Sequence, residues 1–353
     1  MAYLLGSKGN YPYACARVRA KKSQLLTKES YPKLLNMDLN EISRFLGETQ
    51  YNAEMTELAT KYEGVNLIEL GMSRNLARVY GAVLGFTKGE LRQMVSSYLE
   101  RWDIWNVKTV VRGKHSKATL DEIREDLVPA GKLKEEDLSA LLAMETVAEV
   151  LEGAEKMVSI FLPEEIVSSY QTTGQLSAIE DYLDKVYYRR LIESISPRSH
   201  AERLLLAYVR REIDATNLMT LLKLKREGLG PDKIAPFMIE GGDELPMAQL
   251  ERLLPVEGYD ALLQELTRLS FYEEIKDALE KAKTSSSLDD VTLALKKYQI
   301  RQAEKFSHLY PLSVLPIIDY IIRKKTEVDN IRIVARCKES GLDPDTIKRL
   351  LVV

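Results

Sequence analysis

The sequence predicts an all-α protein of three similar helical domains, and three observations lead there. Apolar residues recur mostly at three- and four-residue spacing, the pattern of amphipathic helices. Leu, Glu, Lys, Ala and Arg dominate, while 353 residues carry only 18 glycines and 12 prolines, so little interrupts a helix. A ~112-residue internal repeat runs through the chain, far longer than a solenoid unit and close to a small domain in size. Alternating strand patterns are scarce, and no Asn-Gly or Asp-Gly hairpin turn occurs.

Asn106, Asn217 and Asn330 anchor the repeat, 111 and 113 residues apart. Three positions before each lies an acid, Asp103, Asp214 or Glu327. One and four positions after it lie Val107 and Val110, Leu218 and Leu221, or Ile331 and Val334. A basic residue follows at six positions (Arg112, Lys223, Arg336) and a lysine at eight (Lys114, Lys225, Lys338). Ile123, Ile234 and Ile347 continue the register, as do Leu127, Met238 and Leu351. Mapping the chain end back through the periods gives domains 1–130, 131–241 and 242–353. The first 17 or so residues are left as an N-terminal arm on the first domain.

The elements follow in order. Helices beginning near Leu67, Leu176 and Leu288 open the three units. Within the first, Gly81 and Gly85 fall in a helical pattern and are expected to allow close helix packing. Each asparagine helix comes next. Gly228-Leu-Gly-Pro-Asp and Gly341-Leu-Asp-Pro-Asp end two of them with glycine and open the following helix with proline. Lys117–Asp121 occupies that place in the first unit without either residue, so a different turn is expected there. Glu240–Pro246 and Lys283–Ser287 read as surface connections.

Chemistry is harder to find. Gly81–Gly89 lacks the P-loop spacing, Gly6-Ser-Lys-Gly9 follows no strand, and no G-x-G-x-x-G occurs. His115, His200 and His308 are isolated, and Cys15 and Cys337 have no CxxC spacing, so neither a metal site nor a disulfide framework is expected. Cys15 reads as a packed thiol beside Tyr11 and Tyr13. The acidic pairs, such as Glu135-Glu136-Asp137 and Asp243-Glu244, sit on polar helix starts or loops rather than in an apolar pocket. A net charge of −3 argues against general affinity for nucleic acid or anionic lipid. Leu312–Ile322 is interrupted by Pro316 and Asp319 and is short of the ~20 residues of a membrane span. No catalytic residue, cofactor or metal is expected, and any work at a membrane goes through a partner.

The repeated polar residues have two readings. The acids and asparagines (Asp103, Asn106, Asp214, Asn217, Glu327, Asn330) are structural caps or bonds to neighbouring backbone. The basic residues (Arg112, Lys114, Lys223, Lys225, Arg336, Lys338) are either a solvated face with packed stems or a three-fold set of partner contacts. Val334→Lys is expected to unfold the third unit and Lys338→Ala to leave it folded.

The opening Tyr13-Ala-Cys-Ala-Arg-Val-Arg-Ala, the Glu48-Thr-Gln-Tyr51 step, the threefold asparagine helix and Glu327-Val-Asp-Asn-Ile-Arg-Ile-Val-Ala-Arg-Cys-Lys resemble the C subunit of A-type (V/A-type) ATP synthases. The d subunit of eukaryotic V-ATPases is similar. The resemblance spans nearly the whole chain. It implies three like helical domains set around a pseudo-three-fold axis as a funnel. It further implies a non-catalytic rotor subunit, cytoplasmic and peripheral to the inner face of the membrane. One side would receive the central stalk and the other would sit on the membrane proteolipid ring, coupling torque to proton or sodium transport. No nucleotide or nucleic acid is implied as a ligand. A generic helical scaffold of another assembly is the alternative, and an enzyme with its site between repeats is a third possibility.

Overall fold

A computed structural model describes residues 9–285 and 287–353. Residues 6–8 of the Gly6–Gly9 stretch, Ser286 and the start of the N-terminal arm lie outside the described residues. The described chain is all-α, with no strand among the described residues. Short helices come first: α1 (Tyr11–Lys22), α2 (Ser30–Asn36), α3 (Leu39–Gly47) and α4 (Asn52–Leu58). The next run is α5 (Gly64–Phe86), α6 (Gly89–Leu99), α7 (Arg101–Ser116), α8 (Leu120–Glu125), α9 (Glu135–Ala143), α10 (Val147–Val158) and α11 (Glu164–Thr173). It is followed by α12 (Ser177–Ser194), α13 (His200–Arg226), α14 (Pro231–Ile234), α15 (Met247–Leu253), α16 (Tyr259–Leu266) and α17 (Tyr272–Thr284). The chain closes with α18 (Asp289–Leu309), α19 (Leu315–Glu339) and α20 (Pro344–Leu350).

Local sequence accounts for the ends of these helices. Thr119, Thr146 and Ser199 each cap with a glutamate three residues on, in reciprocal capping boxes. Lys117 ends α7 in the left-handed region at φ +58, the conformation that Gly228 and Gly341 adopt at φ +77 and +70 after α13 and α19. The first unit therefore makes the same reversal without glycine, a conformation that costs a side chain of the order of 1 kcal/mol. The different turn expected from sequence is different only in residue type. Gly81 and Gly85 face open space on α5 and pack against no helix, contrary to the sequence expectation. They lie on the outward stripe of the helix, away from buried Leu76, Val79 and Val83.

Each asparagine makes the same pair of bonds. Asn106 donates to the Val128 carbonyl and accepts from its N–H, both at 2.8 Å. Asn217 does so with Ile239, both at 2.8 Å, and Asn330 with Val352 at 2.9 and 3.0 Å. An amide side chain can donate and accept at once, so it closes a backbone segment that has no ladder or helix partner. The acids one turn earlier hold the strap that follows. Asp103 accepts from Lys132 and Leu133 N–H at 2.9 Å, and Asp214 from Glu244 and Leu245 N–H at 2.9 Å. Gly131 and Gly242 lie against these carboxylates where a Cβ would collide with Asp103 and Asp214. Glu240–Pro246 is thus an anchoring strap with buried Leu245 at its end, and not only a surface connection. These bonds also carry packing across residues 130 and 241.

In the third unit the N-terminal segment supplies partners for the acid. Glu327 accepts from the backbone N–H of Leu26, from Gln50 Nε2 at 3.0 Å and from Tyr51 Oη at 2.5 Å. Helix α19 packs against α1, α5 and α18, and α20 packs against α2. Two ends of one chain therefore build a single unit. Apolar burial falls into two clusters. One joins residues from α1 to Ile213, and Ile239, with those from Ala303 onward; the other draws on residues between Ala215 and Tyr298. Helices α13 and α18 contribute to both clusters and bridge them. Of the apolar stretch Leu312–Ile322, Leu312 is exposed while the part from Leu315 turns inward as the start of α19, where buried Asp319 is met by Lys22 at 2.7 Å and Arg323 at 2.8 Å.

Candidate functional site

The repeated lysines complete the same architecture. Lys114 Nζ donates to the Leu142 carbonyl at 2.8 Å. Lys225 Nζ donates to those of Leu254 and Val256 at 2.7 Å, and Lys338 Nζ to that of Leu35 at 2.8 Å. Each ammonium neutralises the carbonyls that end a short helix, a favourable place for a cation. Burial lowers Lys225 from its usual range. Leu35 again comes from the N-terminal segment, in the place that Leu142 and Leu254 hold in the other units.

The basic residues two positions earlier reach sideways. Arg112 meets Glu180 of α12 through two bonds at 2.5 Å. Arg336 meets Glu69 of α5 through two bonds and Asp126 at 3.3 Å. Lys223 is exposed and makes no side-chain hydrogen bond among the described residues. So five of the six basic residues picked out by the repeat are engaged inside the chain. Lys338→Ala therefore strips a partly buried carbonyl of its partner as well as testing binding.

Between the long helices lies a cavity of about 700 Å³. Its wall draws on α6, α7, α12, α13, α18 and α19. Three positions equivalent by the repeat meet there: Arg101, Glu212 and Lys325. Arg101 forks onto Glu212 at 2.8 and 3.1 Å while stacking on Tyr98 at 3.8 Å from the ring centre. Lys325 pairs with Asp329 and lies over Trp102 and Trp105. Burial lowers Lys325, against the pull of Asp329, and neighbouring Arg332 and Lys296 lower it further. Burial pushes Tyr98, Tyr188 and Tyr208 well above the usual phenol range, so they remain neutral. Trp102 Nε1 has no hydrogen-bond partner among the described residues.

Of the acids on this wall, Glu212, Asp184 and Asp329 are held in ion pairs, and burial raises the Cys337 thiol away from the thiolate form. Cys15 is fully buried, donates to the Ser313 carbonyl at 3.3 Å and is pushed up to about 11 by burial. No group of three or more His, Cys, Asp or Glu among the described residues could hold a metal ion. No described helix is long and apolar enough to cross a membrane.

Sequence reasoning missed the Arg101–Glu212–Lys325 set, Lys324 and the closure by Leu26, Gln50 and Tyr51. Extending the register five residues upstream of the asparagines would have found the first set. The closure carries only a faint signal: Glu replaces Asp in the third unit.

The fold and its cavity define an all-helical protein whose backbone straps are anchored by three equivalent asparagines beside an aromatic-lined cavity. The ATP synthase (C/AC39) subunit family matches residues 14–350, and the chain belongs to that family. The A-type ATP synthase C subunit of Methanosarcina barkeri is 42% identical over 346 residues, covering 98% of this chain and 93% of its own. That of Methanococcoides burtonii is 39% identical over 352 residues, covering 99% and 96%. That of Archaeoglobus fulgidus is 34% identical over 350 residues, covering 99% and 98%. The chain is thus a subunit of an A/V-type ATPase, with partners inside that complex.

Proposed function

We propose that this chain is a non-catalytic rotor subunit that joins the central stalk to the membrane proteolipid ring. It passes torque between nucleotide chemistry elsewhere in the complex and ion movement. The observation that carries the reading is the central cavity, walled by long helices from all three repeats. The three sequence units form a funnel around a pseudo-three-fold axis, the stalk enters the cavity, and the ring takes the opposite end. The chain sits at the inner face of the membrane through these partners.

Torque transmission demands a stiff joint, and the ties between repeats supply one. Arg112–Glu180, Arg101–Glu212, Lys108–Asp184 and Arg336–Glu69 each cross from one long helix to another. Exposed pairs are worth ~0–1 kcal/mol each. Forked or half-buried pairs such as Arg101–Glu212 contribute more to a fixed geometry. A joint under load also needs an obligate-sized contact of ~2,000 Å² or more. Site-specific cross-linking tests the reading. A photoreactive residue at Gln299, on the cavity wall, is expected to capture a stalk subunit in the assembled complex. Capture of ring or stator subunits alone from that position overturns the orientation.

A further inference from the structure

We infer that the central cavity carries a carboxylate-binding subsite for an acidic segment of the polypeptide that enters it, built on Arg332 and Lys296. The inference rests on the stalk-docking reading above. The cavity extends toward α8 as a space of about 620 Å³ whose wall includes Lys296, Lys325, Asp329 and Arg332.

Arg332 is 9% exposed, yet its one hydrogen-bond partner is the Ser73 hydroxyl, and its Nε has none. No carboxylate lies within ion-pair distance of it among the described residues. The repeat shows how unusual this is. Lys108 and Met219 hold the equivalent positions in the other units. Lys108 meets Asp184 at 2.8 Å, and Met219, which is uncharged, accepts from the Thr292 hydroxyl at 3.5 Å. Arg332 alone of the three is a buried cation with no acid beside it.

A buried charge without a counterion is costly, and native chains keep one where something answers it. The neighbours worsen the imbalance. Arg332 and Lys296 both act on Lys325 as like charges, and the nearby Asp329 is already bonded to Lys325. Lys296 is exposed and makes no side-chain hydrogen bond among the described residues. Five cations and three acids line this space. Arg112 and Arg336 are tied to Glu180, Glu69 and Asp126, which leaves Arg332 and Lys296 with no acid of their own. Their wall, with Trp105 and Ile333, suits a partly apolar helix end bearing a carboxylate. A guanidinium and an ammonium together recognise that group well.

The test is binding of the full-length chain to purified central-stalk subcomplex across salt concentration. Wild-type affinity is expected to fall as salt rises. Lys296→Glu is expected to bind about tenfold more weakly at low salt, chiefly through slower association. That gap should close near ~1 M salt, where charges are screened within ~3 Å. Arg332→Met should weaken binding at every salt concentration, and Lys33→Glu, on the exposed face of α2, should bind as wild type. If the stalk binds and Lys296→Glu and Arg332→Met match wild type, the subsite is wrong while stalk docking stands. If wild-type chain does not bind stalk at all, the reading beneath the inference falls with it. If inorganic phosphate raises the melting temperature of wild type but not of Arg332→Met, and does not compete with stalk, the site serves a small anion and the inference is overturned.

Discussion

Glu327→Ala should open the closure between the two ends of the chain. It removes one acceptor from four donors at once: Leu26 N–H, Gln50, Tyr51 and Lys324. Lys324 is fully buried, with its ammonium 3.1 Å from Glu327 and 3.9 Å from the Tyr51 ring centre. Deleting one partner of such a pair costs about 3–5 kcal/mol, because the other charge stays behind in low dielectric. That is a large share of the ~5–15 kcal/mol that holds a typical domain folded.

The pH dependence separates this cause from simple loss of packing. Burial lowers Lys324 from 10.5 to about 8, even with Glu327 present. Between those values the unfolded chain holds more protons than the folded one, so this group makes stability rise with pH. At about 1.4 kcal/mol per pH unit, the full window is worth about 3 kcal/mol. The tyrosines raised by burial work the other way above their ordinary value near 10, which leaves pH 8–10 as the clean interval. Without Glu327 the lysine sheds its proton more readily, so the variant's deficit should shrink from pH 7 to pH 9. Hydrogen exchange at Leu26 and along α3 reads the local opening. A loss of ~3 kcal/mol is roughly a hundredfold faster exchange. Lys324→Met combined with Glu327→Gln should recover more than half of the loss, since no buried charge remains. Unchanged exchange near Leu26, or a global loss under ~1 kcal/mol, would refute the closure as described.

Other outcomes follow from the same geometry. Asn217→Leu leaves the Ile239 N–H and carbonyl buried without partners, and should cost about 2–4 kcal/mol in urea unfolding. Lys338→Ala should lose about 1 kcal/mol by thermal melt while staying folded, because only the Leu35 carbonyl is stripped. Gly242→Ala places a Cβ against Asp214 and 2.6 Å from the Leu245 carbonyl. It should cost about 1–3 kcal/mol, a loss that equal stability of variant and wild type would contradict.

Helices were legible because their signals are local. Three- and four-residue apolar spacing and capping residues sit within one or two turns, and the asparagines kept register over two periods. The partners of those asparagines were not legible, since a side chain bonding backbone 22 residues away leaves no pattern in either segment. The basic residues illustrate the limit. Arg112 and Lys114 look alike in sequence, yet one ties two long helices and the other ends a short helix. Which it does depends on a difference of two residues, about 200° around the helix axis. The glycines of α5 misled for the same reason: small residues mark close packing only on the inward stripe. Closure by the N-terminal segment was hidden because Glu327 and Lys338 find their partners at Leu26, Gln50, Tyr51 and Leu35, far outside the register of the repeat.

The most direct test of the coupling role is ATP-driven ion pumping in vesicles holding the reconstituted complex, with this chain omitted and then added back. Omission should leave ATP hydrolysis running without pumping, and add-back should restore pumping. Pumping at the full rate without the chain would contradict the account.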